Sequence, residues 1–217
     1  MSKSDFKTFS LLDSLVIHFD QGIRSLAGTP IGTGRSNPSQ AMPNNPLSKK
    51  EEKHAAALMR INQTGEIAAQ ALYQGQALTA SNLEIRDIMQ KAAVEENDHL
   101  LWCNERVQEL KSHKSVFNPV WYLGSLSLGL LAGALGDKWS LGFLAETEKQ
   151  VGNHLQKHLD QLPANDHKSR AIVAQMFIDE TEHANMAIEQ GANPLPTPIK
   201  IIMKLSAKIM TKVVYYI

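Results

Sequence analysis

Glu-x-x-His is the spacing in this sequence that could bind metal ions. Three residues advance an α-helix by about 300° and ~4.5 Å, so the carboxylate and the imidazole lie on neighbouring turns of one face. The motif occurs at Glu51 to His54, at Glu96 to His99 and at Glu180 to His183. One occurrence alone is weak evidence, because a Glu and a His at this spacing are common on solvated helix surfaces.

The second motif gains weight from the turn that precedes it. Ser81 and Asn82 begin a helix-capping pattern, which places a turn between two helices there. In an antiparallel helix pair, residues that are level with each other lie equally far from the turn. The reflection of Glu96 to His99 through this turn falls on residues 63–68, which include Glu66.

The third motif has a corresponding partner. Its reflection through the turn at residues 163–166 falls on residues 146–149, where Glu146 and Glu148 are both candidates. The second and third motifs are 84 residues apart, whereas Glu66 precedes Glu148 by 82 and Glu146 by 80. The closer offset selects Glu148.

Two helix pairs that each supply Glu plus Glu-x-x-His form the carboxylate-bridged di-iron or di-manganese site of ferritin-like bundles. Four carboxylates balance two divalent ions, and two imidazoles complete a mixed N/O ligand set that iron accepts. The predicted metal ligands are Glu66, Glu96, His99, Glu148, Glu180 and His183. Glu51 to His54 has no mirror partner and begins about 18 Å before Glu66 on its helix, so we expect no metal there.

Other side chains near these ligands have simpler interpretations. His154 and His158 lack the intervening Glu of a zinc protease, and we expect surface histidines, with a proton-donor role for His154 as a hypothesis. Cys103 is expected to be a small buried residue. Four acids flank the ligands and are expected to be solvated or to support them: Glu95, Asp98, Glu146 and Glu182.

Helix signals cover most of the chain, and no useful alternating strand pattern appears. Residues 1–27 contain an amphipathic helix at 8–26, and residues 28–47 form a Pro/Gly/Asn-rich linker that lacks the apolar surface to order itself. Residues 48–191 contain long capped helices. The pattern predicts an all-α protein of five or six helices, with a ferritin-like four-helix bundle and additional amphipathic helices at both termini.

Composition excludes several classes of protein. The 22 Lys+Arg equal the 22 Asp+Glu, which argues against a nucleic-acid binder that works by neutralising phosphates. A single cysteine excludes a disulfide scaffold and suits a reducing compartment. The N-terminus lacks the apolar stretch of a secretory signal, so we expect a cytosolic location.

Two segments predict contact with a membrane surface. The apolar run at 120–135 is shorter than the ~20 residues of a spanning helix, so we expect a buried core helix or a monotopic segment. Residues 192–217 predict a basic amphipathic helix, with Lys200, Lys204, Lys208 and Lys212 on one side and Ile202, Leu205, Ile209, Val213 and Tyr216 on another. Packing of this helix on the bundle is the alternative, because Ile201 and Val214 interrupt the division.

The segments MRINQTGEIAAQALYQGQ, EENDHL, AETEKQVGNHL and DETEHA resemble the demethoxyubiquinone hydroxylase family, the di-iron monooxygenases of ubiquinone biosynthesis, and its bacterial branch in particular. The similarity covers residue 48 to the C-terminus and includes all six ligand positions; the N-terminal helix and linker are also similar to proteobacterial members. The resemblance implies two iron ions, with Glu96 and Glu180 bridging them, Glu66 and His99 completing one ion, and Glu148 and His183 the other.

The same resemblance implies insertion of one oxygen atom from O2 into the ring of a polyprenylated demethoxyubiquinone. It implies a peripheral location on the cytoplasmic face of the inner membrane and other ubiquinone-biosynthesis proteins as candidate partners. No G-x-G-x-x-G element is present, so electrons come from a partner or from NAD(P)H without a Rossmann domain. Two alternatives stay open: a ferritin-like iron oxidation and storage protein, and a non-enzymatic quinone carrier.

Overall fold

Seven α-helices and no strands are found in the part of the chain that the computed structural model describes, residues 11–217. The helices are α1 (Leu11–Ala27), α2 (Lys49–Thr79), α3 (Leu83–Glu109), α4 (Asn118–Ala134), α5 (Asp137–Gln161), α6 (His167–Glu189) and α7 (Thr197–Tyr216), and a 3-10 helix spans Pro38–Ala41. The all-α prediction is confirmed, although the predicted number of helices was too low. Residues 8–10, the predicted start of the first helix, lie outside the described residues.

Side-chain caps set the starts of the long helices where the sequence predicted them. The Ser48 hydroxyl accepts from the backbone N–H of Glu51, and the Glu51 carboxylate accepts from the backbone N–H of Ser48 at 2.8 Å. At the next helix only the Asn82 side chain caps, by accepting from the Glu84 N–H at 2.8 Å. These reciprocal and single caps satisfy backbone donors that the first turn of a helix leaves free.

Helix α4 returns the chain from one end of the bundle to the other. It packs closely on α2, and the contacts pair Gly129 with Leu72 and Gly133 with Gln76, so both helices advance in the same direction. A Cβ at Gly129 would overlap the carbonyl oxygen of Leu72, which explains why glycine is needed at this approach of two backbones. The hairpins α2–α3 and α5–α6 thereby form a four-helix bundle with a crossover helix, as a ferritin-like fold requires.

The outer side of α4 exposes an apolar face. Its inner side is buried on α2, so the expectation of a buried core helix is wrong for half of the helix surface. The exposed residues are Val120, Leu123, Leu128, Leu131 and Leu135. None of the helices within residues 11–217 is both long and apolar enough to cross a membrane, which agrees with the prediction that this segment is not a span.

Helix α7 packs along α2 and α5. Val214 is fully buried, and the Arg60 guanidinium donates to the carbonyl oxygen of Val214 and to that of Tyr215, each at 2.9 Å. At the other end, Lys200 Nζ lies 3.1 Å from Glu146 Oε2, so this lysine has an acidic partner. The helix therefore packs on the bundle, as the alternative interpretation held, while its outer face exposes Ile201, Ile202, Leu205 and Ile209.

The linker at residues 28–47 follows the outside of the bundle and makes specific polar contacts. The Asn37 amide donates to Glu105 on α3 at 2.6 Å, and the 3-10 helix packs against α6. Composition predicted too little apolar burial to order this segment. Hydrogen bonds and ion pairs to the bundle, rather than apolar burial, hold it in place.

Two apolar layers enclose the middle of the bundle. One contains Leu58 on α2 and Leu155 on α5, and the other contains Tyr73 on α2 and Leu144 on α5. The predicted ligands lie between these layers, where the side chains are removed from water. Charged groups at such a depth require partners of opposite charge.

Candidate metal centre

The four bundle helices bring all six predicted ligands together at mid-length. None of the six is more than 8% exposed. Their ligand atoms form two groups, each with all atoms within 4.8 Å of one another. One group consists of Glu66, Glu96, His99 and Glu180, and the other of Glu96, Glu148, Glu180 and His183.

Glu96 and Glu180 belong to both groups and divide their oxygens between them. On one side, His99 Nδ1 lies 3.0 Å from Glu96 Oε2 and 3.1 Å from Glu180 Oε1. On the other, His183 Nδ1 lies 3.4 Å from Glu96 Oε1 and 3.2 Å from Glu180 Oε2. Each shared carboxylate thus turns one oxygen towards each histidine, which is the arrangement of a bridging ligand.

The outward nitrogens of both histidines are held by acids. His99 Nε2 lies 2.8 Å from Asp179 Oδ2, and His183 Nε2 lies 2.6 Å from Glu95 Oε2. An acid that accepts the Nε2–H leaves the Nδ1 lone pair directed into the cluster, where a metal ion can use it. Sequence reasoning named Glu95 but missed Asp179. The signal was present, since Asp179 follows Glu95 by the same 84 residues that separate the two motifs.

Glu148 has a partner that sequence reasoning also missed. The Tyr73 hydroxyl donates to its Oε1, and both side chains are buried. Tyr73 follows Glu66 by seven residues, two helical turns, so it lies on the same face of α2. That spacing could have identified Tyr73 as a residue that orients the ligand on α5.

Electrostatics favours cations at this position. Burial raises the pKa of Glu66 and that of Glu148 well above the usual carboxyl range. Burial has the same tendency at Glu96, but hydrogen bonds from His183 and His99 outweigh it and lower the pKa of Glu96 below that range. Within residues 11–217, no lysine or arginine forms an ion pair with any of the four glutamates. Protons or metal ions must therefore balance the carboxylates.

The donor set fits two divalent ions of the first transition series. Glu96 Oε1 is buried without a hydrogen-bond donor, although a buried carboxylate oxygen normally has one. Carboxylate oxygens and imidazole nitrogens suit iron or manganese, and no thiolate takes part. Cys103 is fully buried with its Sγ 3.8 Å from Met176 Sδ, so it is a small buried residue as predicted.

The first Glu-x-x-His motif lies apart from the cluster. His54 Nδ1 is 2.8 Å from the Tyr215 hydroxyl and Nε2 is 3.2 Å from the Gln161 carbonyl oxygen, while Glu51 caps α2. The prediction that this motif differs from the other two agrees with its position. A local motif alone did not identify the ligands; its place relative to the turns did.

His154 and His158 do not fit the surface interpretation. Their ring centroids are 4.0 Å apart and His158 is only 3% exposed, so the prediction of surface histidines is wrong for His158. Burial, and then the nearby Lys157, lowers the pKa of His154 to about 4. Of the remaining flanking acids, Asp98 is buried and Glu182 is exposed.

Comparison with known proteins places this site in a family. The family described as "Ubiquinone biosynthesis protein COQ7" matches residues 53–214. A 3-demethoxyubiquinol 3-hydroxylase of Nitrosomonas eutropha is 55% identical over 206 residues, covering 95% of this chain and 99% of the relative.

Two further relatives carry the same name. The protein from Dechloromonas aromatica is 55% identical over 203 residues, with 94% of this chain and 98% of the relative covered. That from Nitrosococcus oceani is 51% identical over 211 residues, with 97% and 99% covered. Similarity of this extent, together with the family match, confirms the resemblance read from the sequence: the chain belongs to the COQ7 family of ubiquinone biosynthesis proteins.

Proposed function

We propose that this protein is a 3-demethoxyubiquinol 3-hydroxylase that inserts one oxygen atom from O2 into the quinone ring at a carboxylate-bridged di-iron centre. The observation that carries the proposal is the pair of overlapping ligand groups that share Glu96 and Glu180. The names of relatives more than half identical over nearly the whole chain supply the substrate and the reaction.

In this proposal each ligand group holds one iron ion. Glu66 and His99 complete one ion, Glu148 and His183 complete the other, and Glu96 and Glu180 bridge them. When bound, the irons supply the activation of O2, and an external reductant such as NAD(P)H supplies electrons.

The chain itself contributes position and environment. Asp179 and Glu95 orient the two imidazoles, and Tyr73 holds the Glu148 carboxylate by a hydrogen bond. The apolar layers on either side of the cluster keep bulk water away, which strengthens electrostatic interactions at the reacting centre.

A polyprenylated substrate requires contact with a membrane, and we propose that α4 and α7 provide it on the cytoplasmic face of the inner membrane. Both helices expose large apolar side chains, such as Leu123 on α4 and Leu205 on α7. Three exposed lysines, Lys204, Lys208 and Lys212, follow one flank of the exposed α7 face. Such a surface resembles interfacial helices, which combine apolar insertion with attraction to anionic lipids.

Iron content and product analysis together test the reaction. Purified protein should hold about two irons per chain, as a two-metal site requires. Incubation with a short-tailed demethoxyubiquinol, a reductant and 18O2 should give a hydroxylated quinone with one labelled oxygen. Iron oxidation without a hydroxylated product would instead support the storage alternative, and quinone binding without iron would support the carrier.

Vesicle flotation tests the membrane contact. Changing Lys204, Lys208 and Lys212 to Gln removes on the order of 1 kcal/mol of attraction per lysine, less after salt screening, so binding to anionic vesicles should fall by about 5- to 100-fold. A matched control changes three exposed lysines of the remaining surface, Lys50, Lys53 and Lys111, and should bind as the wild type does. Equal binding by both variants would contradict a role for α7.

A further inference from the structure

Part of the polar linker reaches the metal centre. We call residues 31–37 the linker strap. It binds both residues that lie between the two α3 ligands: the Asn97 amide donates to the Ile31 carbonyl oxygen at 2.8 Å, and the Asp98 carboxylate accepts from the Thr33 backbone N–H at 2.9 Å and from its hydroxyl. Asn97 and Asp98 are buried, so the strap provides partners for polar groups that water cannot reach. A Cβ at Gly32 would overlap the Asp98 carboxylate, so this close approach requires glycine.

Arg35 of the strap contacts two groups that fix the His99 ring. Its Nη2 lies 2.8 Å from Asp179 Oδ2 and 3.1 Å from Oδ1, and the same Oδ2 lies 2.8 Å from His99 Nε2. The guanidinium carbon is 5.2 Å from the centroid of the Trp102 ring, which in turn is 5.3 Å from the centroid of the His99 ring. The cation thus holds the acceptor of the Nε2–H and covers the aromatic ring that packs on the imidazole.

The second half of the centre has no such support. Glu95, the acid that holds His183, has a side chain 42% exposed, and within residues 11–217 no lysine or arginine forms an ion pair with it. Asp179 is only 10% exposed and also accepts from the Gln175 amide at 2.9 Å. The ligand sets of the two halves are alike, but only the His99 half is held by the strap.

We propose that Arg35 is a positioning residue for the metal centre and that the linker strap fixes His99 through Asp179. The inference rests on the proposed di-iron centre. With Asp179 held in place as the acceptor of the Nε2–H, His99 presents Nδ1 towards the first ligand group. Loss of the cation frees the carboxylate and the ring to rotate, and the ion of that group is then bound more weakly than the other.

The test uses the full chain, freed of iron and titrated with Co2+ against a competing chelator, with the visible absorbance of bound Co2+ as the readout. Arg35→Met keeps the length of the side chain and removes its charge. We expect about 10- to 100-fold weaker binding of one of the two ions, which is the usual effect of losing a group that orients a ligand. Arg35→Lys keeps the charge and should recover most of the affinity.

Two controls separate positioning from a general loss of structure. Arg24→Met removes an exposed ion pair with Asp20 on α1 and should bind both ions as the wild type does. In a Glu66→Gln background, which weakens only the first group, Arg35→Met should not weaken the remaining ion further. A general loss of structure would instead weaken both ions in every background, and that result would overturn the proposal.

The possible failures are distinguishable. Wild-type protein that binds two Co2+ ions, with Arg35→Met identical to it in affinity and spectrum, would refute the role of the strap alone. Wild-type protein that binds no pair of ions would refute the proposed function and this inference with it. Should Arg35→Met fail to fold, Thr33→Val removes only the hydroxyl contact to Asp98, and it should weaken the same ion by a smaller factor; unchanged binding would contradict the proposal.

Discussion

The buried His154–His158 pair predicts that acid destabilises the metal-free protein. Neither ring makes a hydrogen bond, and the free nitrogens His154 Nε2 and His158 Nδ1 are buried. Burial, followed by the charge of a neighbouring histidine, lowers the pKa of His158 from 6.5 to about 2. The folded protein therefore keeps this imidazole neutral at any pH near 7 or somewhat below it.

The sign of the effect follows from where each state takes up its proton. An unfolded histidine titrates near pH 6.5, whereas the folded His158 does not, so below that pH the unfolded state binds one more proton. The stability of the folded state is complete above pH 6.5 and falls as the pH decreases towards the folded pKa. Between pH 7.5 and pH 5.0, one such histidine lowers the free energy of unfolding by about 2 kcal/mol.

Urea unfolding of metal-free wild type and His158→Gln at pH 7.5 and 5.0 measures this quantity. Other titrating groups, including the glutamates of the cluster, contribute equally to both proteins and cancel in the comparison. His158→Gln should lose about 2 kcal/mol less than the wild type between the two pH values. His113→Gln, at an exposed histidine, should lose as much as the wild type does. Equal pH dependence in the wild type and His158→Gln would refute the reasoning.

Three further outcomes test the site and the fold. Glu180→Gln should weaken binding of both metal ions by about 10-fold or more in a Co2+ titration, whereas Glu66→Gln should weaken only one, because Glu180 belongs to both ligand groups. His54→Ala should leave the iron content unchanged, since His54 lies outside the cluster; lost iron would mean that the motif was wrongly set aside. Gly129→Ala should lower the free energy of unfolding by about 1–3 kcal/mol because its Cβ meets the α2 backbone, whereas Gly124→Ala has open space and should be neutral or slightly stabilising.

The sequence was sufficient to select the six residues that meet in the cluster, because the rules that place them are simple. Helical periodicity fixes which residues share a face, and the position of a turn fixes which residues of two antiparallel helices are level. The choice of Glu148 over Glu146 depended on the repeat alone. In the structure Glu148 enters the second ligand group, while Glu146 faces α7 and pairs with Lys200.

Contacts that depend on how separate segments pack were not predictable in this way. The burial of His158 and the ion pair of Lys200 both involve regions near α7, whose position on the bundle no local pattern specifies. The linker strap is a stronger case, because its composition indicates little apolar burial. Its order depends instead on single polar contacts to α3 and α6, and periodicity carries no information about the path of an irregular segment.

The repeated motif makes the two ligand groups alike, but the surroundings make the two halves of the centre unequal. Both histidines use an acid one residue before a shared glutamate, yet Asp179 is buried beneath Arg35 and Glu95 is partly exposed. Glu95 also borders a surface cavity of about 280 Å³ that Lys91 and Val94 help to line. Water can therefore reach the acid behind His183 more readily than the acid behind His99. A symmetrical ligand set thus provides two chemically different positions because the linker covers only one of them.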